Sequence, residues 1–140
     1  MAKIPDTINA VQVEYAEGVV NDVTDSLIMG LKHCIRPYFP LAQTLRKIYI
    51  SAAKDHHTAP SQVHSRHNQR KAVDISRLND TKIAIGYPHN AALKALVDAI
   101  QETFESYSGR RENFGPRLKK KLGQNWSVPG HHDHIHLSVN

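Results

Sequence analysis

A chain of 140 residues, 40% hydrophobic and 22% charged, has the composition of one folded domain, 1–140, able to build a core without cross-links, which excludes a disordered, fibrous or repetitive protein. No run approaches the ~20 apolar residues of a membrane span, acidic residues interrupt the N-terminal stretch where a signal peptide keeps an apolar centre, and the lone Cys34 excludes an internal disulfide. A formal charge of +5 favours an anionic partner, whether nucleic acid, a membrane surface or an acidic wall polymer.

In chain order, Val20, Val23, Leu27, Leu31 and Ile35 recur at helical steps, so the spacing predicts a helix over 20–35. Asn21 or Thr24 is its cap and Pro37 its stop, with Cys34 a small buried side chain on it. "KIYIS", 47–51, alternates and is β-branched, as a half-buried strand requires, and "AVDIS", 72–76, reads as a second. Asn79 and Asp80 mark a turn. A second helix follows, with Asn90 as cap, Leu93, Leu96, Val97, Ile100 and Phe104 on one stripe, and Gly109 beyond its end. "RLKKKLG", 117–123, reads as a solvated surface segment. The tail "HIHLSVN" alternates strictly, placing His134, His136 and Ser138 on one strand face and Ile135, Leu137 and Val139 on the other. The expected fold is α+β, a small antiparallel sheet with helices packed on one face and a zinc site on the sheet.

Asp74 is the residue that asks for chemistry. With Val73 and Ile75 turned to the core, its carboxylate projects from the opposite face, where it needs water or a cation. The tail strand repeats this arrangement with imidazoles. His67, Asp74 and His136 can then supply two nitrogens and one oxygen to a single ion, the set that leaves a fourth zinc position open for water.

Ser65, His67, Ala72 and Asp74 in "SRHNQRKAVD" resemble the S-x-H-x-x-G-x-A-x-D pattern of the zinc D-alanyl-D-alanine peptidases. "HDHIH" resembles the H-x-H motif of the wider group that includes murein endopeptidases and the hedgehog domain. The resemblance implies Zn2+ held by His67, Asp74 and His136, with His64 the substitute for His67 in a shifted register. Where the family carries a glutamate three residues before the last histidine, this chain has Asp133, the first candidate for general base; His134, as base or oxyanion donor, is the second. "SAAK", 51–54, resembles the family's S-G-Y-R, so Lys54 stands for the arginine that faces the substrate, without its bidentate fork. Arg70 replaces the family's glycine and is expected to bring another cation to the mouth of the cleft.

His56, His57 and His64 otherwise read as surface loop residues, and His131 and His132 as lying behind the ligands or exposed. Trp126 is either a cleft wall or core. The resemblance implies a zinc-dependent peptidase of D-Ala-D-Ala carboxypeptidase or endopeptidase type, cutting a peptide bond of bacterial peptidoglycan. The short basic chain resembles a bacteriophage endolysin, made in the cytoplasm without a signal peptide and released to the wall, with a virion-borne wall-degrading enzyme as the close variant. Its partners are then peptidoglycan and, through its positive charge, anionic wall polymers, with no nucleic acid expected. Two other classes compete: a hedgehog-like module that keeps zinc without turnover, and a basic metal-dependent nucleic-acid hydrolase.

Overall fold

A computed structural model describes residues 1–53 and 69–140. The short strands β1 (Ala2–Lys3), β2 (Thr7–Ile8), β3 (Val11–Tyr15) and β4 (Asp22–Val23) lead into helix α1 (Asp25–Cys34). Strands β5 (Lys47–Ala52), β6 (Ala72–Leu78) and β7 (Thr81–Lys82) precede helices α2 (Ile83–Gly86) and α3 (Ala91–Phe104). Strands β8 (Arg110–Phe114), β9 (Lys119–Lys121), β10 (Gln124–Asn125) and β11 (Ile135–Val139) complete the chain.

The expected α+β class holds, but the sheet is neither small nor wholly antiparallel. Among the described residues nine strands join one sheet in the order β10-β9-β8-β11-β6-β5-β3-β2, with β7 paired to β6, and β3 runs parallel to β5. β1 and β4 form a separate pair. The C-terminal strand β11 is central, hydrogen-bonded antiparallel to β6 on one side and β8 on the other. Its position brings the last histidine beside Asp74: His136 stands directly opposite it in the register.

Leu27 and Leu31 of α1 and Leu93, Leu96, Val97 and Ile100 of α3 share one core cluster with Ile48, Ile50, Val73, Ile75, Ile135 and Leu137 of the central strands. The alternation foreseen in β6 holds through Ile75 and then breaks. Tyr49 pairs with Arg77 and Ile50 with Ile75, so Ser76 is an extra residue, a bulge that returns Leu78 to the core opposite Ile48. A second irregularity leaves Ser51 unpaired on β5, and its hydroxyl donates to the Asp74 carbonyl at 3.3 Å. Hence Asp74, Arg77 and Tyr49 occupy the face of the sheet away from the core.

The first helix begins later than its spacing suggests. Val23 keeps the helical period but belongs to β4, fully buried opposite Ala2, and Thr24 rather than Asn21 is the cap, accepting from the Leu27 amide. Helix α3 starts as expected, with Asn90 accepting from the Leu93 amide at 3.1 Å. It stops at Phe104 with Glu105 as its C-cap, so Gly109 is not its terminator. Asn79 and Asp80, at φ 50° and 66°, form the turn between β6 and β7. The lysine run is a half-buried strand rather than a solvated segment: β9 pairs with β8 on one side and with β10 on the other, and Lys119 Nζ donates to the carbonyls of Val128 and Gly130. Among the described residues, no helix is long and apolar enough to cross a membrane.

Candidate metal centre

The alternation of β11 brings His136 and Ser138 to the face that Asp74 shares, and yet both are buried, His136 to 9% exposure. A buried imidazole needs partners for both nitrogens, and among the described residues each nitrogen lies against a carboxylate. His136 Nδ1 lies 2.8 Å from Asp74 Oδ1, and Nε2 lies 3.2 Å from Glu112 Oε1 on β8. Ser138 Oγ donates to the same Glu112 oxygen at 3.1 Å and accepts from the Glu112 amide at 3.0 Å. The Phe114 ring stacks on His136, with ring centres 5.7 Å apart and planes 16° from parallel.

These contacts set the charges. Burial pulls the His136 pKa down, but its hydrogen bonds to Asp74 and Glu112 outweigh that and hold it at about 9. The hydrogen bond from His136 is the main cause that lowers Glu112 to about 2, against the opposing effect of burial.

A second imidazole faces the same carboxylate. His134 Nε2 lies 3.8 Å from Asp74 Oδ1, while its Nδ1 is 2.6 Å from Asp133 Oδ1. The hydrogen bond to His134 is the main cause that holds the Asp133 carboxyl below its ordinary range. His131 closes the group, its ring centre 5.0 Å from that of His134 and 5.8 Å from that of His136. It reaches there by a tight backbone reversal, with Gly130 at φ 80° and His131 itself at φ 64°. Burial, then the neighbouring His134 and His136, push its pKa down.

Of the expected ligands, the structure brings Asp74 and His136 together; His67 lies outside the described residues, as do Lys54, His56, His57 and His64. Among the described residues, no group of three or more His, Cys, Asp or Glu is placed to hold a metal. The pair that is described suits zinc in donor chemistry. Two ligands of one tetrahedral ion stand roughly 3.3 Å apart at ordinary zinc bond lengths, so Nδ1 and Oδ1, 2.8 Å apart, need open by only about half an ångström. A carboxylate on the far nitrogen, the place Glu112 holds on His136, is a common partner of histidines that bind zinc.

Asp133 and His134 are brought together as a unit, with Asp133 behind His134 and His134 toward Asp74. Arg70 sits at φ 61°, a left-handed conformation that a glycine would adopt without steric cost, and its guanidinium lies 3.6 Å from Met1 Sδ. Trp126 is not core: it is 47% exposed, with Lys121 Nζ 4.7 Å from its ring centre. Glu112 and Phe114 were not legible as site residues, because "RRENF" carries no motif and only the pairing of β8 with β11 shows what they touch; Ser138 was placed on the face of His136, but not its contact with Glu112.

No family model, curated protein or solved structure matches this chain.

Proposed function

We propose that this chain is a zinc-dependent peptidase that hydrolyses a peptide bond in bacterial peptidoglycan, with the ion held by His67, Asp74 and His136. The observation that carries the proposal is the convergence of His136 Nδ1 and His134 Nε2 on Asp74 Oδ1, with Glu112 behind one imidazole and Asp133 behind the other. A purely structural pair would not need a second carboxylate-backed histidine turned to the same oxygen. The glycine-like backbone of Arg70 within the S-x-H-x-x-G-x-A-x-D stretch is further support.

Bound zinc would supply a lowered pKa for water and polarisation of the scissile carbonyl. The protein's own part is proton transfer. Asp133 fixes the His134 ring by accepting from Nδ1–H, so that Nε2 is the nitrogen that faces the site and serves as proton acceptor. His134 therefore takes the proton of the attacking water at Nε2 and delivers it to the leaving amine, and Asp133 is its positioning residue. This arrangement reverses the order of the two candidates expected from the sequence. Lys54 remains the proposed cation for the substrate. Release of such an enzyme to the wall, as an endolysin or from a virion, is the setting that a basic chain of this size suits.

The test is mass spectrometry of fragments released from purified peptidoglycan, with and without a chelator. New amino groups without new reducing sugar ends, abolished by chelation and restored by zinc, are expected. His136→Ala and Asp74→Ala should lose metal, whereas His134→Ala should keep about one equivalent while turnover falls on the order of 100-fold or more. Metal binding without any cleavage would move the chain to the hedgehog-like class of zinc-holding modules. Degradation of DNA with the wall left intact would overturn the peptidase assignment.

A further inference from the structure

Beside the histidine cluster, a cavity of about 220 Å³ is lined by Ser76, Arg77, Lys82, Ala84 and Asp133. At ~30 Å³ per water in the liquid, it has room for about seven waters, or one small amino-acid residue. Arg77 and Lys82 stand directly opposite each other across the β6–β7 hairpin, an arrangement of like charges that normally weakens a strand pair. Among the described residues, neither cation forms an ion pair with a carboxylate. The Arg77 guanidinium is instead laid over the Tyr49 ring, 4.3 Å from its centre, which fixes its direction while leaving its charge uncancelled. The Ser76 bulge turns Arg77 to the same side of the sheet as Asp74. Three steps along the strand separate the two, roughly 10 Å or less at ~3.3 Å per residue.

We propose that this cavity binds a free carboxylate of the peptide substrate, about two residues from the scissile bond, between Arg77 and Lys82. The proposal rests on the peptidase assignment for its substrate, but the anion site itself does not depend on turnover. Asp133 forms one wall of the cavity and also orients His134, so the cavity adjoins the reacting centre rather than a remote surface. His134 takes one oxygen of Asp133, and the two cations outnumber this single carboxylate on the cavity wall, so the site favours an entering anion. Carboxylate stems fit this site, and stems with amidated carboxyl groups fit it poorly.

Two measurements separate the site from the activity. In the first, acetyl-D-alanine and acetyl-D-alanine amide, which have no inter-residue bond to cut, are titrated into the full-length protein and followed by NMR. The carboxylate should shift resonances of Ser76, Arg77 and Lys82 while the amide does not, and Arg77→Gln and Lys82→Gln should each weaken binding about tenfold, as loss of one charge-assisted contact implies. Lys82 is exposed, so its replacement keeps the test valid if Arg77→Gln disturbs the fold, and Arg77→Lys should restore part of the binding. Equal binding of acid and amide, or unchanged binding in both variants, would overturn the proposal. In the second, wall stem peptides with free and amidated carboxyl groups are compared as substrates, where the variants should raise KM for the free acid alone. Binding without any cleavage would leave the anion site standing and remove the peptidase assignment; cleavage indifferent to amidation and to both variants would do the reverse.

Discussion

His136 carries two jobs that only the folded chain reveals, and they bear on how stability and metal binding depend on pH. With no metal bound, its pKa of about 9 against an ordinary 6.5 means that its pairing stabilises the fold fully below about pH 6.5 and is lost as pH rises through 9. Glu112, at about 2 against an ordinary 4.5, contributes stability that is present above about pH 4.5 and is lost as pH falls through 2. Both shifts express one contact, so the metal-free protein is expected to melt highest between about pH 4.5 and 6.5, with a decline toward 9. Zinc bound as proposed would have to displace the His136 proton, so its affinity should rise over the same alkaline range with release of a proton. In Glu112→Gln the alkaline decline should begin at lower pH. Melting temperatures of chelator-treated protein across this range check it, and a flat profile between about pH 6 and 9 would remove the charged pair. Asp74 and His136 were legible because alternation and a short motif expose them. Glu112 was not, since its role arises wholly from which strand lies beside β11.

At the level of elements, the site depends on how α3 is tied to β8. Asn113, fully buried next to Glu112, donates through Nδ2 to the Gln101 carbonyl and to Glu105 Oε2, both at 2.8 Å, and accepts from Gln101 Nε2 at 3.0 Å. This network fixes the strand that presents Glu112 to His136. Asn113→Ala should cost roughly 1–3 kcal/mol by stranding buried polar groups and should weaken zinc binding about tenfold or more through Glu112. Asn90→Ala, which removes only the α3 cap, should cost about 1 kcal/mol and leave zinc affinity unchanged. Denaturant midpoints and zinc titrations of the two variants distinguish them; equal zinc affinities would show that β8 does not need this tie. The elements readable in advance were those with a clean apolar period: β5, β6, α3 and β11. The pairing of β3 with β5 was not readable, because parallel partners leave no local signal. The hairpin β9–β10 was hidden for a different reason, as its lysines are half-buried by hydrogen bonds and aromatic contact rather than by apolar side chains.

Over the whole molecule the excess of positive charge, +5, acts at a range that no single contact has. Some of it is cancelled locally: Lys47 is held by Glu14 and Asp80, and Arg117 by Asp98 and Glu102. Arg77 and Lys82 have no such partner among the described residues, so the uncancelled charge includes the side of the sheet that holds the candidate site. An anionic wall would then both retain the protein and turn that side toward itself. Screening gives the test, because the range of such attraction falls from about 10 Å at 0.1 M salt to about 3 Å at 1 M. Co-sedimentation with purified wall should fall steeply over this interval, whereas turnover of a small neutral stem peptide, which relies on contacts at the site, should change far less. Salt-independent retention would mean that wall binding is not electrostatic. Salt-dependent retention of DNA without retention of wall would mean that the charge serves nucleic acid, and the proposed wall substrate would lose the support that the net charge of +5 gives it.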